Sequence, residues 1–150
     1  MEENKDLLTT RQLIEKMSAT GDITKFVKKY QNSICTQSFS DYLHEQCESK
    51  GMLMSEVIKR ADIEKSYGYM IFKGNRQPSR DRVIQLAFGF GMDGDEAQRL
   101  LLMAGKPQLY AKILRELTIL YCLDNHMSIV DTQLLLGQMG LELIGGVKND

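Results

Sequence analysis

The sequence predicts an all-α protein: an N-terminal helical pair, a helix-turn-helix bundle in the middle, and a C-terminal repeated helical hairpin. Apolar residues recur at the three- and four-residue spacing of helices, and no segment alternates apolar and polar residues as a half-buried strand would. Twelve glycines, against two prolines and no tryptophan, fit helices joined by tight turns. At 150 residues and 43% hydrophobic, the chain suffices for one or two cores, and its 26% charged content is that of a globular protein.

From residue 6 to residue 32 the pattern gives two short amphipathic helices divided at Thr20-Gly21-Asp22. Leu7, Leu8, Leu13, Ile14 and Met17 set the first, and Ile23, Phe26, Val27 and Tyr30 the second. A polar connector from Gln31 to Ser38 separates this segment, residues 1–37, from the next. A helix from Phe39 to Gly51 then carries Phe39, Tyr42, Leu43 and Cys47 on one face. Ser55 to Ala61 forms a short helix through Val57, Ile58 and Ala61. After a turn at Asp62-Ile63, a further helix runs from Lys65 to Lys73, halted by Gly74 and then Pro78. Three short helices with a tight turn between the last two match the helix-turn-helix plan.

The remainder contains an internal repeat. Shifted by 35 positions, Ile84 falls on Ile119, Met92 on Met127, Gln98 on Gln133, Leu100-Leu101 on Leu135-Leu136 and Gly105 on Gly140. Asp93 with Glu96, and Ser128 with Asp131, each give a helix cap followed three residues later by an acid. Gly105 and Gly140 stand where a glycine ends the second helix of each copy. These are two helical hairpins of one design, with Gly89-Phe90-Gly91 as a turn and a longer helix beginning near Gln108 and reaching Leu117 as the link.

The helix-turn-helix segment closes on Gly74-Asn75-Arg76-Gln77-Pro78, and a Ser-led helix, Ser79 to Gly89, and a hairpin, Asp93 to Gly105, follow it. In this order the segment resembles the DNA-binding domain of the phage repressor and Cro superfamily, the XRE family. That family's pattern ends helix one on a glycine and follows its recognition helix with Gly-x-Arg-x-Pro. The resemblance covers residues 38–105 and implies a lambda-repressor-like bundle in a sequence-specific transcriptional regulator that binds double-stranded DNA. Residues 106–150 would then pack on this domain or dimerise, and a homodimer and a protein partner are further expectations.

The resemblance also implies the site. The helix after the turn would lie in the major groove, with Glu64, Lys65, Ser66 and Met70 toward base edges and Tyr69 beside them. Lys73, Arg76 and Arg80 would contact phosphates. The departures from the family pattern are specific: Met54 replaces a Gln at the start of helix two, and Glu64 replaces the usual Ser or Thr at the start of the recognition helix. Gly68, between Tyr67 and Tyr69, replaces an inward Ile or Val, and Cys47 with Phe72 replaces an Arg–Glu pair. A mid-helix glycine costs about 1 kcal/mol relative to alanine, so close approach of a neighbouring group is expected there.

Net charge is −1, where a protein living on nucleic acid usually carries a positive excess. That balance, with Glu64 and Met54, gives an alternative: a non-enzymatic protein–protein interaction module on a helix-turn-helix scaffold that has lost DNA binding. His44 and Cys47 lie three apart, but the remaining donors, Cys122 and His126, belong to a distant segment, so no metal and no cofactor are expected. No phosphate-binding glycine loop or nucleophile signature points to an enzyme. No apolar run spans a bilayer and the N-terminus lacks a leader, so the expectation is a cytoplasmic protein with reduced Cys35, Cys47 and Cys122. The methionines are expected to be core filler.

Overall fold

The computed structural model describes residues 7–34 and 37–146. Cys35 and the first six residues lie outside them. Among the described residues there are nine α-helices and no strand: α1 (Thr10–Ser18), α2 (Ile23–Lys29), α3 (Phe39–Lys50), α4 (Met54–Arg60), α5 (Lys65–Phe72), α6 (Arg80–Phe90), α7 (Gly94–Met103), α8 (Leu114–Asp124) and α9 (Ile129–Gln138). The chain divides into two compact units, residues 1–37 and 38–150.

In the first unit, α1 begins at Thr10 rather than near residue 6. Thr9 caps the helix by accepting from Gln12 N, while the Gln12 side chain accepts from Thr9 N, so Leu7 and Leu8 precede it. Asp22 caps α2 by accepting from Thr24 N and Lys25 N. Leu8 N donates to Ser33 Oγ at 2.8 Å and draws the ends of the unit together. Phe26 is buried, whereas Ile14, Met17, Ile23 and Val27 line an apolar groove open to solvent.

In the second unit one core runs from Tyr42 through Phe72, Leu86 and Leu101 to Ile119, Leu136 and Ile144. Residues 106–146 therefore share their interior with α3, α4 and α5. Helix α6 is its axis, with every residue from Val83 to Phe90 buried. Gly89 and Phe90 are the last turn of that helix, not a loop. A side chain at Gly89 would come within 2.4 Å of the Val57 carbonyl, and only a glycine lets α4 pass this close. Gly91, at φ +70, ends the helix.

The repeat seen in the sequence is a repeat of contacts. Asp93 and Ser128 cap α7 and α9, and Gly105 and Gly140 follow them at φ +71 and +72. The Gln98 amide clamps the Leu109 backbone, with Nε2 donating to its carbonyl at 2.8 Å and Oε1 accepting from its N–H at 2.7 Å. Gln133 does the same to Ile144, at 2.8 and 2.9 Å. Arg80 donates to Pro107 O and Gln108 O, and Arg115 to Glu142 O and Leu143 O.

The ion pairs then cross between copies. Arg80 binds Glu116 with both terminal nitrogens, at 2.6 and 3.0 Å, and Arg115 meets Asp81 at 3.3 Å. Tyr110 N donates to Glu116 and Gly145 N to Asp81. Such reciprocal exchange between equivalent positions is the signature of a twofold relation rather than a translation. It also explains why residues 108–113 are irregular instead of starting a long helix: Arg80, Gln98 and Glu116 claim the backbone of Gln108, Leu109 and Tyr110, a turn closed by Ile113 N on Tyr110 O follows, and α8 begins only at Leu114.

Candidate nucleic-acid interface

The two helices of the motif are brought together by small residues. At Gly68 an added Cβ would sit 2.6, 2.8 and 2.9 Å from Cγ2, Cγ1 and Cδ1 of Ile58, so α4 approaches α5 to a distance that excludes any larger residue. Between them, Asp62 adopts φ +59. The buried Gln85 amide of α6 holds this turn by donating to Ala61 O at 3.0 Å and Asp62 O at 3.2 Å.

Both ends of α5 are fixed. Glu64 is its N-cap, accepting from Tyr67 N at 2.9 Å. That backbone bond, with a second from Ser66, lowers the Glu64 carboxyl below its ordinary range. Its charge therefore serves the helix start, where the backbone N–H groups favour an anion. At the other end, Ser40 Oγ and His44 Nε2 of α3 both donate to the Phe72 carbonyl, the latter at 2.9 Å, and the His44 ring stands edge-on to Phe72. His44 is thereby committed to a helix end. Cys47 and Phe72 are both buried, as apolar packing in place of a charged pair requires. Among the described residues no group of three His, Cys, Asp or Glu side chains could hold a metal ion.

Braced in this way, α5 buries Gly68, Ile71 and Phe72 and turns the opposite stripe outward. Lys65, Ser66 and Lys73 are exposed, and Tyr69 and Met70 half-buried, all on that stripe. Lys65 lies over the Tyr69 ring at 6.0 Å, and Arg76, exposed in the loop beyond, lies over the Tyr67 ring at 5.2 Å. Lys73 and Arg76 flank a groove of about 360 Å³ against the start of α3.

Arg80 does not join this set. Its guanidinium is spent on Glu116, Pro107 and Gln108, and burial leaves little of it to reach a phosphate. It is a scaffold residue. Two other cations that sequence reasoning passed over lie beside this face: Arg82, which is 5.9 Å from the Tyr67 ring and also donates to Gln85 Oε1 at 2.8 Å, and Lys59, which shares with Lys65 a groove of about 330 Å³ between α4 and α5. A Ser-led helix bearing Arg at two alternate positions was the available signal, since only one of the two can face the second hairpin. A cavity of about 800 Å³ lies between α4, the end of α6 and the start of α9, and no α5 residue lines it.

Comparison with known proteins finds no matching family model, no matching curated protein and no matching solved structure.

Proposed function

We propose that the protein is a sequence-specific DNA-binding regulator that inserts α5 into the major groove. The observation that carries this reading is the outward stripe of α5, which sets Lys65, Ser66, Tyr69, Met70 and Lys73 on one face of a helix rigidly held at both ends. Lys65 and Ser66 supply hydrogen-bond donors for base edges, and Lys73, Arg76, Arg82 and Lys59 supply the phosphate contacts. Between Met54 and Pro78 there are five cations against three carboxylates, and one of those carboxylates, Glu64, is occupied as a cap. The local balance is therefore positive although the chain as a whole is not.

A mobility-shift titration against a selected pool of double-stranded DNA tests the reading. Binding is expected to weaken with salt, and each of Lys73→Ala and Arg76→Ala to reduce the slope of log K against log salt by about 1. Lys65→Ala is expected to relax sequence preference as well. A titration showing no salt-dependent binding to any member of the pool removes this function.

The second reading, an interaction module on the same scaffold, is favoured by the acids that remain among these cations, Glu56 and Asp62, and by the formal charge of −1. It expects no DNA complex and a protein partner seated on the α4–α5 face.

A further inference from the structure

Helix α8 carries an apolar stripe that its counterpart in the first hairpin does not expose. Leu114, Leu117 and Tyr121 follow helical spacing on α8, Tyr110 and Ile113 precede them in the irregular segment that leads into it, and Met139 adjoins them through its contact with Thr118. Each is between 43% and 57% exposed. In the first hairpin the equivalents, 35 positions earlier, are Asn75, Pro78, Ser79, Arg82, Leu86 and Ala104, of which Pro78 and Leu86 are buried. There α4 lies against Gly89, and Tyr67 of α5 meets Arg82, the equivalent of Leu117. Other helices thus reach this side of α6 in the first copy, whereas the second copy carries Tyr110, Leu114 and Leu117 where the first has Asn75, Ser79 and Arg82, and leaves them exposed among the described residues.

We propose that this face binds the same face of a second copy of the chain, with the two α8 helices antiparallel across a twofold axis. Six half-exposed apolar side chains offer on the order of 600 Å² of apolar surface, at the upper end of what a typical monomer leaves open and within reach of the roughly 800 Å² per partner of a stable interface. The charges at the ends are self-complementary. Lys112 stands at one end and forms no ion pair among the described residues. Asp124 stands at the other, exposed, with Oδ1 accepting from Gly94 N. In the antiparallel arrangement each Lys112 faces the partner's Asp124, and Leu117, near the midpoint, meets its own copy. Such a dimer also presents two α5 helices, but its formation requires no DNA.

Sedimentation of the full chain without DNA, from about 1 to about 200 μM, tests the proposal in the range that such an interface reaches. A concentration-dependent dimer is expected. Leu117→Glu with Tyr121→Glu weakens it at least about tenfold while helical circular dichroism and the melting temperature stay those of the parent. In a Cys35→Ser chain, Leu117→Cys oxidises to a disulfide-linked dimer, and Leu134→Cys on α9 does not. A parent chain that remains monomeric throughout, or a dimer indifferent to the double substitution, overturns the proposal; the latter moves the interface to another surface, such as the apolar groove of α1 and α2. A dimer without DNA binding leaves the inference standing and removes the proposed function, so the two fail separately.

Discussion

Gly68→Ala is the perturbation that most directly probes how α5 is mounted. In an open helix the change would stabilise by about 1 kcal/mol, because alanine has the higher propensity and the less flexible unfolded chain. Here the new methyl would meet three carbons of Ile58 inside 3.0 Å, and Ile58 is itself 2% exposed and boxed by the core. Overpacking of this kind costs about 1–3 kcal/mol, and three contacts inside 3.0 Å with a boxed side chain place this site at the upper end, from which the propensity gain is subtracted. The expected net loss is about 2 kcal/mol, or roughly 8 °C in melting temperature for a unit of this size. A double-mutant cycle with Ile58→Ala isolates the cause. Ile58→Ala alone costs about 2–5 kcal/mol, but in its presence Gly68→Ala should be neutral or stabilising, a coupling of about 2 kcal/mol measured by urea denaturation. If Gly68→Ala stabilises the parent chain, α4 and α5 do not approach as described, and the argument for the rigid mounting of α5 fails.

The duplicated hairpins predict matched effects. Gln98→Ala and Gln133→Ala each remove two hydrogen bonds to a partly buried backbone and should each cost about 2 kcal/mol by chemical denaturation, within a few tenths of one another. His126 occupies the position of Gly91 at φ +55, so His126→Gly should raise stability by about 1 kcal/mol in the same assay. The Glu116 carboxyl is held below its ordinary range, first by its hydrogen bonds with Arg80. A depressed folded-state pKa gives stability that is present above the unfolded value, about 4.3, and lost as pH falls through the folded one. Melting curves from neutral to acidic pH should therefore decline below that value, and Glu116→Gln should make them flatter. Arg80→Ala should destabilise the fold at neutral pH, yet leave the salt slope of any DNA complex unchanged.

The sequence made the elements legible because their causes are local. Caps such as Asp93 with Glu96, stop signals such as Gly51 and Gly91, and the 35-residue repeat are read from neighbours in the chain, and each governs the helix beside it. What the sequence hid was set by partners far along the chain. Arg80 reads as a phosphate contact until Glu116, 36 residues away, takes its guanidinium. Gly89 reads as a turn residue until the Val57 carbonyl explains it as a close approach within a helix. The region before α8 reads as helical until Gln98 and Arg80 claim its backbone. In each case periodicity or residue type was right about propensity, and a distant hydrogen bond or packing contact overrode it.

The repeat adds a constraint that bears on how the two ends of this unit divide their work. Because Arg80 and Arg115, Asp81 and Glu116 exchange partners reciprocally, neither hairpin completes its ion pairs alone, and each lends a carboxylate to one N–H of the other's trailing backbone. The two copies must fold together, which ties α6 to the second hairpin through these bonds and to α4 and α5 through Gln85, Gly89 and Arg82. Any load on α8, such as a docked helix, therefore reaches the turn before α5 by way of α6: Glu116 holds Arg80 at the head of this helix, and Gln85 further along it holds the carbonyls of Ala61 and Asp62. Gln85→Leu cuts this path at its last link. It keeps the apolar bulk of the side chain but leaves two carbonyls of the turn without their donor, at about 1–3 kcal/mol. The turn is expected to loosen, seen as faster hydrogen exchange at Ile63 and Gly68, while the Gln133 clamp on Ile144 stays protected. Equal loss of protection in both places would mean that the unit opens as a whole and that no contact path singles out α5.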